Sequence, residues 1–401
     1  MVTPKLRFPE FKGGWVEKTL GEVSSDGMYG LNAAAKDFDG INKYIRITDI
    51  DETSNKFVPN PLCSPEGDLD PKFLLKENEL VFARTGASTG KSYLYDKKDG
   101  KLYFAGFLIK FHINKANPKF VFYNTLKSHY SNWVKVMSIR SGQPGINAEE
   151  YKRFQFKLPT LSEQEKIALF LSTVDKKIDF IEKKRDLWKT YKKGIIYQIF
   201  NQKLRFKDEN GQNFPNWNEK SLFSIADIYG GGTPSTEKSD YWNGSINWFT
   251  PSEVGKDKYV DSSNRKISEN GLKNSSAKLL PPGTILISSR ATIGQMSILK
   301  SEGSTNQGFQ SLIVNENHSN EFIYYLCHIL KRELIHRASG STFLEISKNE
   351  VGNIKIKVPT LSEQIIIANF LSSIDVKIEK IVKELEIIRE FKKGLLQQIF
   401  C

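Results

Sequence analysis

The sequence predicts an α+β protein in which two mixed α/β domains are joined by two long, paired α-helices. Three observations predict this architecture: a block that occurs once in each half of the chain, apolar residues at heptad spacing within that block, and short β-rich runs in the segments between. The 401 residues exceed what one ordinary core holds, and 39% hydrophobic with 26% charged residues is typical of a globular protein.

The duplicated block is the strongest feature of the chain. The run Pro-Thr-Leu-Ser-Glu-Gln at 159–164 returns at 359–364, and an ungapped alignment of 154–200 with 354–400 contains 23 identities in 47 positions. A repeated frame around two weakly matching segments predicts a pseudo-twofold molecule. The predicted parts are a first domain (1–158), a first helix (159–203), a second domain (204–358) and a second helix (359–401).

Each block is predicted to form one continuous helix. Thr160 with Glu163, and Thr360 with Glu363, have the spacing of capping boxes at a helix start. No proline interrupts either block, and roughly 40 helical residues at about 1.5 Å each give a rod of about 60 Å.

Apolar residues alternate by four and three in both blocks, which is the pattern of a coiled-coil seam. This spacing favours pairing of the two helices over packing of each helix on its own domain alone, and it leaves their relative direction open. Arg185, Lys192 and Lys392 interrupt the seam, so packing loosens at the first two or a partner docks there. The predicted packing positions are Ile167, Leu171, Val174, Ile178, Ile181, Ile367, Leu371, Ile374, Ile378, Ile381, Leu385 and Ile388.

The segments before each block are predicted to share one fold. Strands are predicted at 43–48, 79–83 and 284–288, and helices at 119–137 and 320–337. Short echoes link the two segments, and the drift in their offsets indicates loop insertions in one common fold with different surface chemistry. The echoes include Lys-Leu-Arg-Phe at 5–8 and 203–206, Trp15 and Trp217, and Gly106-Phe107 and Gly308-Phe309.

The chain carries no pattern that predicts catalysis, a metal site or a bound cofactor. The run 85–92 resembles a phosphate loop, but its glycine is one residue late and the second copy has no Gly-Lys pair. There is no H-E-x-x-H or C-x-x-C motif, and no convincing pair of nucleophile and base. A nuclease would need an acidic cluster in both halves, and the acidic run 49–52 has only Ser252-Glu253 as its counterpart.

The formal net charge of +12 suits a polyanionic partner. Arg84 and Arg290 each lead a hydroxyl-rich turn after a strand, where a guanidinium could bond guanine or phosphate, or could instead structure its own turn. The glycine turn 230–232 could approach phosphate or be a plain connection, and Trp242 lies in a predicted polar loop. The candidate nucleic-acid contacts are Arg84, Thr85, Ser88, Lys91, Arg140, Gln143, Gly231, Thr233, Ser235, Trp242, Ser289, Arg290, Thr292, Ser341 and Thr342.

The paired blocks, together with the runs 231–235 and 290–294, resemble the specificity (S) subunit of Type I restriction-modification systems over essentially all of the chain. The resemblance implies two target recognition domains, two antiparallel central helices, and a split double-stranded DNA target read one half per domain without catalysis. It also implies two modification (methyltransferase) subunits that use S-adenosylmethionine, and restriction subunits that use ATP and Mg. The first domain departs from the family at 27–31, where Gly-Gly-Thr-Pro-Ser is missing.

The sequence also predicts the cellular location and leaves one alternative function. Three scattered cysteines and a start without an apolar signal region predict a cytoplasmic protein with no membrane segment. The rival function is a coiled-coil scaffold with two protein-binding domains and no DNA role, which the net charge and the arginine-led turns disfavour.

Overall fold

The structure, a computed structural model, describes residues 3–340 and 344–401. It divides into two compact units, and the division runs through two long helices, α5 (Leu161–Phe200) and α10 (Leu361–Gln398). Unit 1 comprises Met1–Lys183 and Val382–Cys401, and unit 2 comprises Lys184–Ile381. Each unit therefore combines one globular domain with part of both long helices.

Unit 1 is built on a four-stranded antiparallel sheet with the order β2-β9-β6-β7, and three further strand pairs surround it. Its strands are Val16–Thr19 (β1), Met28–Tyr29 (β2), Ala35–Asp37 (β3), Lys43–Ile45 (β4), Cys63–Pro65 (β5), Glu79–Ala83 (β6), Ser92–Leu94 (β7), Leu102–Phe104 (β8), Leu108–His112 (β9) and Gln155–Leu158 (β10). Its short helices are Leu20–Val23 (α1), Pro118–Asn124 (α2), Ser128–Met137 (α3) and Ala148–Lys152 (α4).

Unit 2 contains a five-stranded sheet with the order β12-β19-β16-β17-β14 and a three-stranded sheet with the order β15-β13-β18. Its strands are Asn218–Ser221 (β11), Ala226–Gly230 (β12), Trp242–Phe249 (β13), Tyr259–Val260 (β14), Arg265–Ile267 (β15), Ile285–Ser288 (β16), Met296–Leu299 (β17), Gly303–Thr305 (β18), Phe309–Val314 (β19) and Lys355–Val358 (β20). Its short helices are Glu269–Lys273 (α6), Asn320–Ile329 (α7), Lys331–Arg337 (α8) and Lys348–Gly352 (α9).

The two units share a common core topology, because the strand order β2-β9-β6-β7 of unit 1 recurs as β12-β19-β16-β17 in unit 2, which adds β14. In unit 1, β1 pairs antiparallel with β10, and in unit 2, β11 pairs in the same way with β20. The helix predicted at 119–137 forms as α2 and α3, and the helix predicted at 320–337 forms as α7 and α8. The predicted fold class is confirmed, with these two helices each broken once.

The long helices pair antiparallel. In unit 1, the early part of α5 contacts the late part of α10 through ion pairs of Asp175 with Lys392 at 2.7 Å and of Glu182 with Arg389 at 2.6 Å. In unit 2, the late part of α5 contacts the early part of α10 through an ion pair of Lys192 with Asp375. Ten of the twelve predicted packing positions are buried, and Ile378 and Ile388 are partly buried.

The seam residues also belong to the domain cores. Ile367, Leu371 and Ile374 lie in one hydrophobic cluster with Phe322 of α7 and Ile285 of β16. Packing on the domain and pairing of the helices, which the sequence analysis treated as alternatives, therefore occur together in unit 2.

Lysines replace apolar residues in the seam because each forms a polar network inside its own unit. In unit 1, Asp175 binds Lys392 and also accepts the hydroxyl of Tyr123 at 2.7 Å. In unit 2, Asp375 binds Lys192 and the hydroxyl of Tyr325. Lys192 thus has an internal partner in place of the loosened packing or docking contact that the sequence suggested.

The predicted capping boxes at the starts of the long helices do not form in full: the amide of Glu363 donates to Oγ1 of Thr360 at 3.5 Å, but neither glutamate carboxylate returns to the backbone of its cap. The carboxylate of Glu163 accepts two hydrogen bonds from Arg7, both at 2.8 Å, and that of Glu363 accepts two from Arg205 at 3.2 and 2.7 Å. A guanidinium outcompetes the backbone for these carboxylates because charge-assisted bidentate bonds are the stronger ones. The repeated Lys-Leu-Arg-Phe run supplies both arginines.

Candidate nucleic-acid interface

In unit 2, three loops leave the five-stranded sheet at one edge. Gly230 at the end of β12 pairs with Gln310, and Ser288 at the end of β16 pairs with Phe309, the first residue of β19. Because β12 and β16 are both antiparallel to β19, their carboxyl ends meet its amino end. The sheet therefore brings together the glycine turn, the turn that starts at 289 and the loop that precedes β19.

The glycine turn is required by close packing of the protein on itself. A Cβ atom at Gly231 would lie 2.0 Å from the carbonyl oxygen of Asn306, and one at Gly232 would lie 2.2 Å from Oγ of Ser276. Thr233 follows the turn, and its hydroxyl donates to Oε1 of Gln307 at 2.5 Å. The glycines are thus explained by folding, while Thr233 stays exposed beside them.

Trp242 was predicted in a polar loop, and this placement is wrong. It is the first residue of β13, is 8% exposed, and meets the ring of Trp248 edge to face at 5.1 Å. The indole N–H of Trp242 donates to the carbonyl of Ser235 at 3.0 Å, and that of Trp248 donates to the carbonyl of Gly232 at 2.8 Å. A buried indole needs such a partner, so Trp248 fixes the glycine turn and Trp242 fixes the chain at Ser235 just after it.

Arg265 is a functional candidate that the sequence analysis missed. It is exposed on β15, and its guanidinium carbon lies 3.6 Å from the ring centroid of Trp242 and 5.6 Å from that of Trp248. The stack depends on the pairing of β13 with β15, which places Trp248 opposite Arg265. No local pattern around residue 265 signals a contact made across strands.

In the turn of unit 2 that Arg290 leads, a carboxylate lies next to the arginine side chain. Nε of Arg290 lies 2.9 Å from Oε1 of Glu345, and because its N–H is not aimed at that oxygen, we treat the contact as a charge pair. Ser289 is fully buried and its amide donates to the carbonyl of Gly308 at 2.8 Å, so its predicted nucleic-acid contact is not accessible. Thr292 is exposed. Ser341 and Thr342 lie outside the described residues.

Unit 1 has an equivalent turn where the sequence showed no match. The amide of Leu31 donates to the carbonyl of Phe104 at 2.9 Å, just as that of Gly232 donates to Thr305 at 2.9 Å. A Cβ atom at Gly30 would lie 2.2 Å from the carbonyl oxygen of Ala105. Gly30 therefore occupies the place of Gly231, and the first domain has its own form of the turn.

Arg84 and Arg290 are not equivalent, in contrast to the sequence alignment. The amide of Arg84 donates to the carbonyl of Phe107 at 3.0 Å, which is the bond that Ser289 makes to Gly308 in unit 2. The two arginines are thus one position apart, and successive residues of an extended chain project to opposite sides.

The side chain of Arg84 lies between exposed aromatic rings. Its Nε donates to the carbonyl of Gly106 at 3.2 Å, and its guanidinium carbon lies 5.2 Å from the ring of Tyr29 and 5.8 Å from that of Phe107. Both rings are large exposed hydrophobic groups on the same sheet edge. Arg84 therefore uses its Nε for a structural bond to Gly106, while the rest of its guanidinium has no hydrogen-bond partner among the described residues.

The other candidates of unit 1 fall into two groups. Thr85 and Gln143 lie side by side, with Oγ1 and Oε1 at 3.5 Å, and both remain accessible next to the partly exposed Ser88. Lys91 is paired with Glu52 at 3.0 Å, and Arg140 makes two bonds of 2.6 Å to Glu150. The charges of Lys91 and Arg140 are therefore largely neutralised by carboxylates of the protein itself.

Within residues 3–340 and 344–401, no three His, Cys, Asp or Glu side chains are grouped so that they could hold a metal ion. In the same ranges, no helix is both long and apolar enough to cross a membrane.

The model of the family "Type I restriction modification DNA specificity domain" matches residues 12–187 and 215–389. The chain belongs to this family. The specificity-domain matches cover both units, and each begins near the tryptophan that opens the first strand of its unit.

Curated relatives of this specificity family are similar to the chain over part or most of its length. The Type I restriction enzyme MjaIX specificity subunit of Methanocaldococcus jannaschii is 34% identical over 206 residues, which are 50% of this chain and 48% of that relative. The chain therefore matches about half the length of that relative. The putative MjaX specificity subunit of the same organism is 28% identical over 344 residues, which are 81% of this chain and 78% of that relative.

Solved structures show the same fold. The S subunit of a Type I restriction-modification system from M. genitalium has a TM-score of 0.60 at 17% identity, with 100% of this chain and 99% of that chain covered. A chain from a type I R-M system, solved in work on complex assembly and conformational transition, has a TM-score of 0.56 at 21% identity and 97% coverage of both chains.

Proposed function

We propose that this chain is the DNA-reading subunit of a Type I restriction-modification complex, and that each unit reads one half of a bipartite target. One observation carries the proposal: each unit presents a glycine turn and, close to it, an arginine held against aromatic rings, Arg84 in unit 1 and Arg265 in unit 2, but with different residues around them. A shared frame with different edge chemistry suits two readers of different base sequences.

The physical basis is a division between affinity and specificity. Lysines and arginines, which give the chain its formal net charge of +12, neutralise phosphates and supply affinity that falls as salt rises. Guanidinium and hydroxyl groups at the sheet edges select bases, and each good contact discriminates by about 1–3 kcal/mol.

The long helices act as the spacer between the two half-sites. With 40 residues in α5 and 38 in α10, each rod is about 60 Å long at about 1.5 Å per residue. One turn of DNA is about 34 Å, so a rod of this length suits two readers separated by an unread gap.

Methyltransferase subunits dock on the helices, and the exposed faces of α5 and α10 support this part of the proposal. Leu187 and Tyr191 on α5 recur as Ile387 and Phe391 on α10, and all four side chains are 46% to 72% exposed. Residues four apart share one helix face, so each unit offers one apolar patch at the same position in the repeat, which suits two copies of one partner.

The chemistry belongs to these partners in the cytoplasm. The modification subunits bring S-adenosylmethionine and methylate adenine, which must leave the base stack to be reached. The restriction subunits bring ATP and Mg for translocation and cleavage. The chain itself catalyses no step.

A domain exchange tests the bipartite assignment. The full chain is co-expressed with its methyltransferase partner, and methylated adenines are mapped before and after residues 1–158 are replaced by the first domain of another family member. One half of the methylated motif should change and the other should persist. A change in both halves would refute independent reading, and an assembled complex without salt-dependent DNA binding would favour the scaffold function.

A further inference from the structure

We infer that Arg265, and not Arg290, is the guanidinium with which unit 2 reads bases in its half-site. This inference rests on the proposed function and names the side chain that carries specificity in the second domain.

The stack on Trp242 positions the guanidinium before DNA arrives. Trp242 is itself fixed by its bond to Ser235 and its edge-to-face contact with Trp248. A guanidinium held 3.6 Å from the ring centroid uses its flat face for the cation–π contact, and its N–H edge stays free for a planar acceptor pair such as O6 and N7 of guanine. Little conformational freedom remains to be lost on binding.

The charge of Arg265 is available. Among residues 3–340 and 344–401, no carboxylate lies within ion-pair distance of this side chain, and Arg265 is exposed. Arg290, by contrast, faces Glu345 at 2.9 Å. To bind a base, Arg290 would have to separate from Glu345. The Glu345 carboxylate would then be unpaired close to the DNA phosphates.

Arg265 lies on β15 of the three-stranded sheet, and two tryptophans connect it to the glycine turn of the five-stranded sheet. Trp248, whose ring centroid is 5.6 Å from the guanidinium carbon, donates to the carbonyl of Gly232 in the glycine turn, and Trp242 donates to the carbonyl of Ser235 just after it, near the exposed Thr233. Arg84 in unit 1 is comparable, since its guanidinium also lies against two aromatic rings, here the exposed rings of Tyr29 and Phe107, and has no carboxylate partner among the described residues. The two units therefore present an equivalent group from different strands.

The test compares base preferences, position by position, in the full chain co-expressed with its methyltransferase partner on plasmid DNA that carries a randomised duplex library. Arg265→Ala should relax one or two positions by about ten- to hundredfold, only in the half that changes when residues 204–358 are exchanged. Arg265→Lys should relax the same positions because it keeps the charge and loses the planar fork.

Two matched variants complete the experiment. Lys266→Ala removes the neighbouring exposed cation, and Arg290→Ala removes the paired arginine; both should keep the wild-type preference. Equal unfolding midpoints of Arg265→Ala and Lys266→Ala would exclude a folding defect.

Three outcomes would overturn the inference. They are a relaxed preference in Arg290→Ala with none in Arg265→Ala, an equal loss in both halves of the target, and loss of methylation at all sites without any change of preference. If the wild-type complex shows no base preference at all, the proposed function fails first, before any variant is compared.

Discussion

The carboxylates of Glu163 and Glu363 are 1% and 0% exposed, and each is held by two bonds from an arginine of the repeated Lys-Leu-Arg-Phe run. Removing one member of such a buried pair leaves a charge without its partner, which typically costs about 3–5 kcal/mol. The amides of Leu6 and Leu204, in the same runs, donate to the carbonyls of Gln398 and Gln198 at 2.9 and 3.2 Å. Each run therefore joins the start of one long helix to the end of the other within its unit.

The glutamine after each glutamate anchors the domain to its long helix. Gln164 accepts the amide of Asn117, and Gln364 accepts that of Ser319, both at 2.9 Å. In unit 2, Gln364 also contacts Nδ1 of His318 at 2.9 Å, and Lys220 lies 3.2 Å from the other ring nitrogen. The equivalent of His318 in unit 1 is Ala116.

His318 makes the stability of unit 2 depend on pH. Burial, together with the nearby Lys220 ammonium, lowers the pKa of His318 below its ordinary value of 6.5. The unfolded chain therefore binds the proton first, and stability is lost as pH falls below that ordinary value towards the lowered pKa. His318→Ala should reduce, but not abolish, the dependence of the urea midpoint on pH between about 7.5 and 5.5, a window set by the ordinary histidine pKa, because burial also lowers the pKa of His328 in the same unit to about 4.

The control for this prediction is His336→Ala, which removes an exposed histidine of α8 in the same unit. It should leave the pH dependence of the midpoint as in the wild type. If His318→Ala keeps the full loss of stability on acidification, the titrating group lies elsewhere.

At the scale of elements, the seam of the long helices is apolar except at Arg185 and at the two positions where a lysine meets an aspartate. Burial, with the charge of Asp175, raises the pKa of Tyr123 and keeps its phenol a donor to that carboxylate. Burial likewise raises the pKa of Tyr325 beside Asp375. The tyrosines come from α2 and α7, so each network ties both long helices to the domain, and polar pairs inside an apolar seam favour one register.

A double-mutant cycle on Lys392→Met and Asp175→Asn tests this network. Because the pair is partly buried and shares Tyr123, the coupling free energy of unfolding should be about 0.5–3 kcal/mol. Chemical denaturation of the four proteins gives this value. Lys393→Met, on the exposed side of α10, serves as the matched control and should show no coupling to Asp175→Asn.

At the scale of the whole molecule, each compact unit contains the same set of contacts between the long helices. In unit 1 the start of α5 contacts the end of α10, and in unit 2 the start of α10 contacts the end of α5. The divisions fall after Lys183 and after Ile381. Extra helix inserted at both divisions would leave the interior of each unit intact.

One heptad inserted after Lys183 and one after Ile381 should lengthen the unread gap of the proposed bipartite target. Seven residues add about 10 Å to each rod, which corresponds to about three base pairs at about 3.4 Å each. A methylation map of the variant complex measures the gap. Insertion in one helix alone mismatches the pair and should abolish methylation, and a gap unchanged by the double insertion would contradict the spacer function.

Sequence patterns alone determined the repeat, the two long helices, their seam and the α+β class. These features repeat at fixed spacing along the chain, and helix periodicity is a local property that needs no knowledge of distant partners. The same reasoning reached Arg84 and the glycine turn, because glycines and an arginine after a strand are local signals.

Only the tertiary structure decided which groups are covered, paired or exposed. Folding buries Trp242 and Ser289, pairs Arg290 with Glu345, and places Arg265 on a ring from another strand. It also turns a predicted helix cap into the Arg7–Glu163 pair. These contacts join residues that are far apart in the chain. They depend on the register between strands and on the exclusion of water, and a local stretch of sequence predicts neither of these.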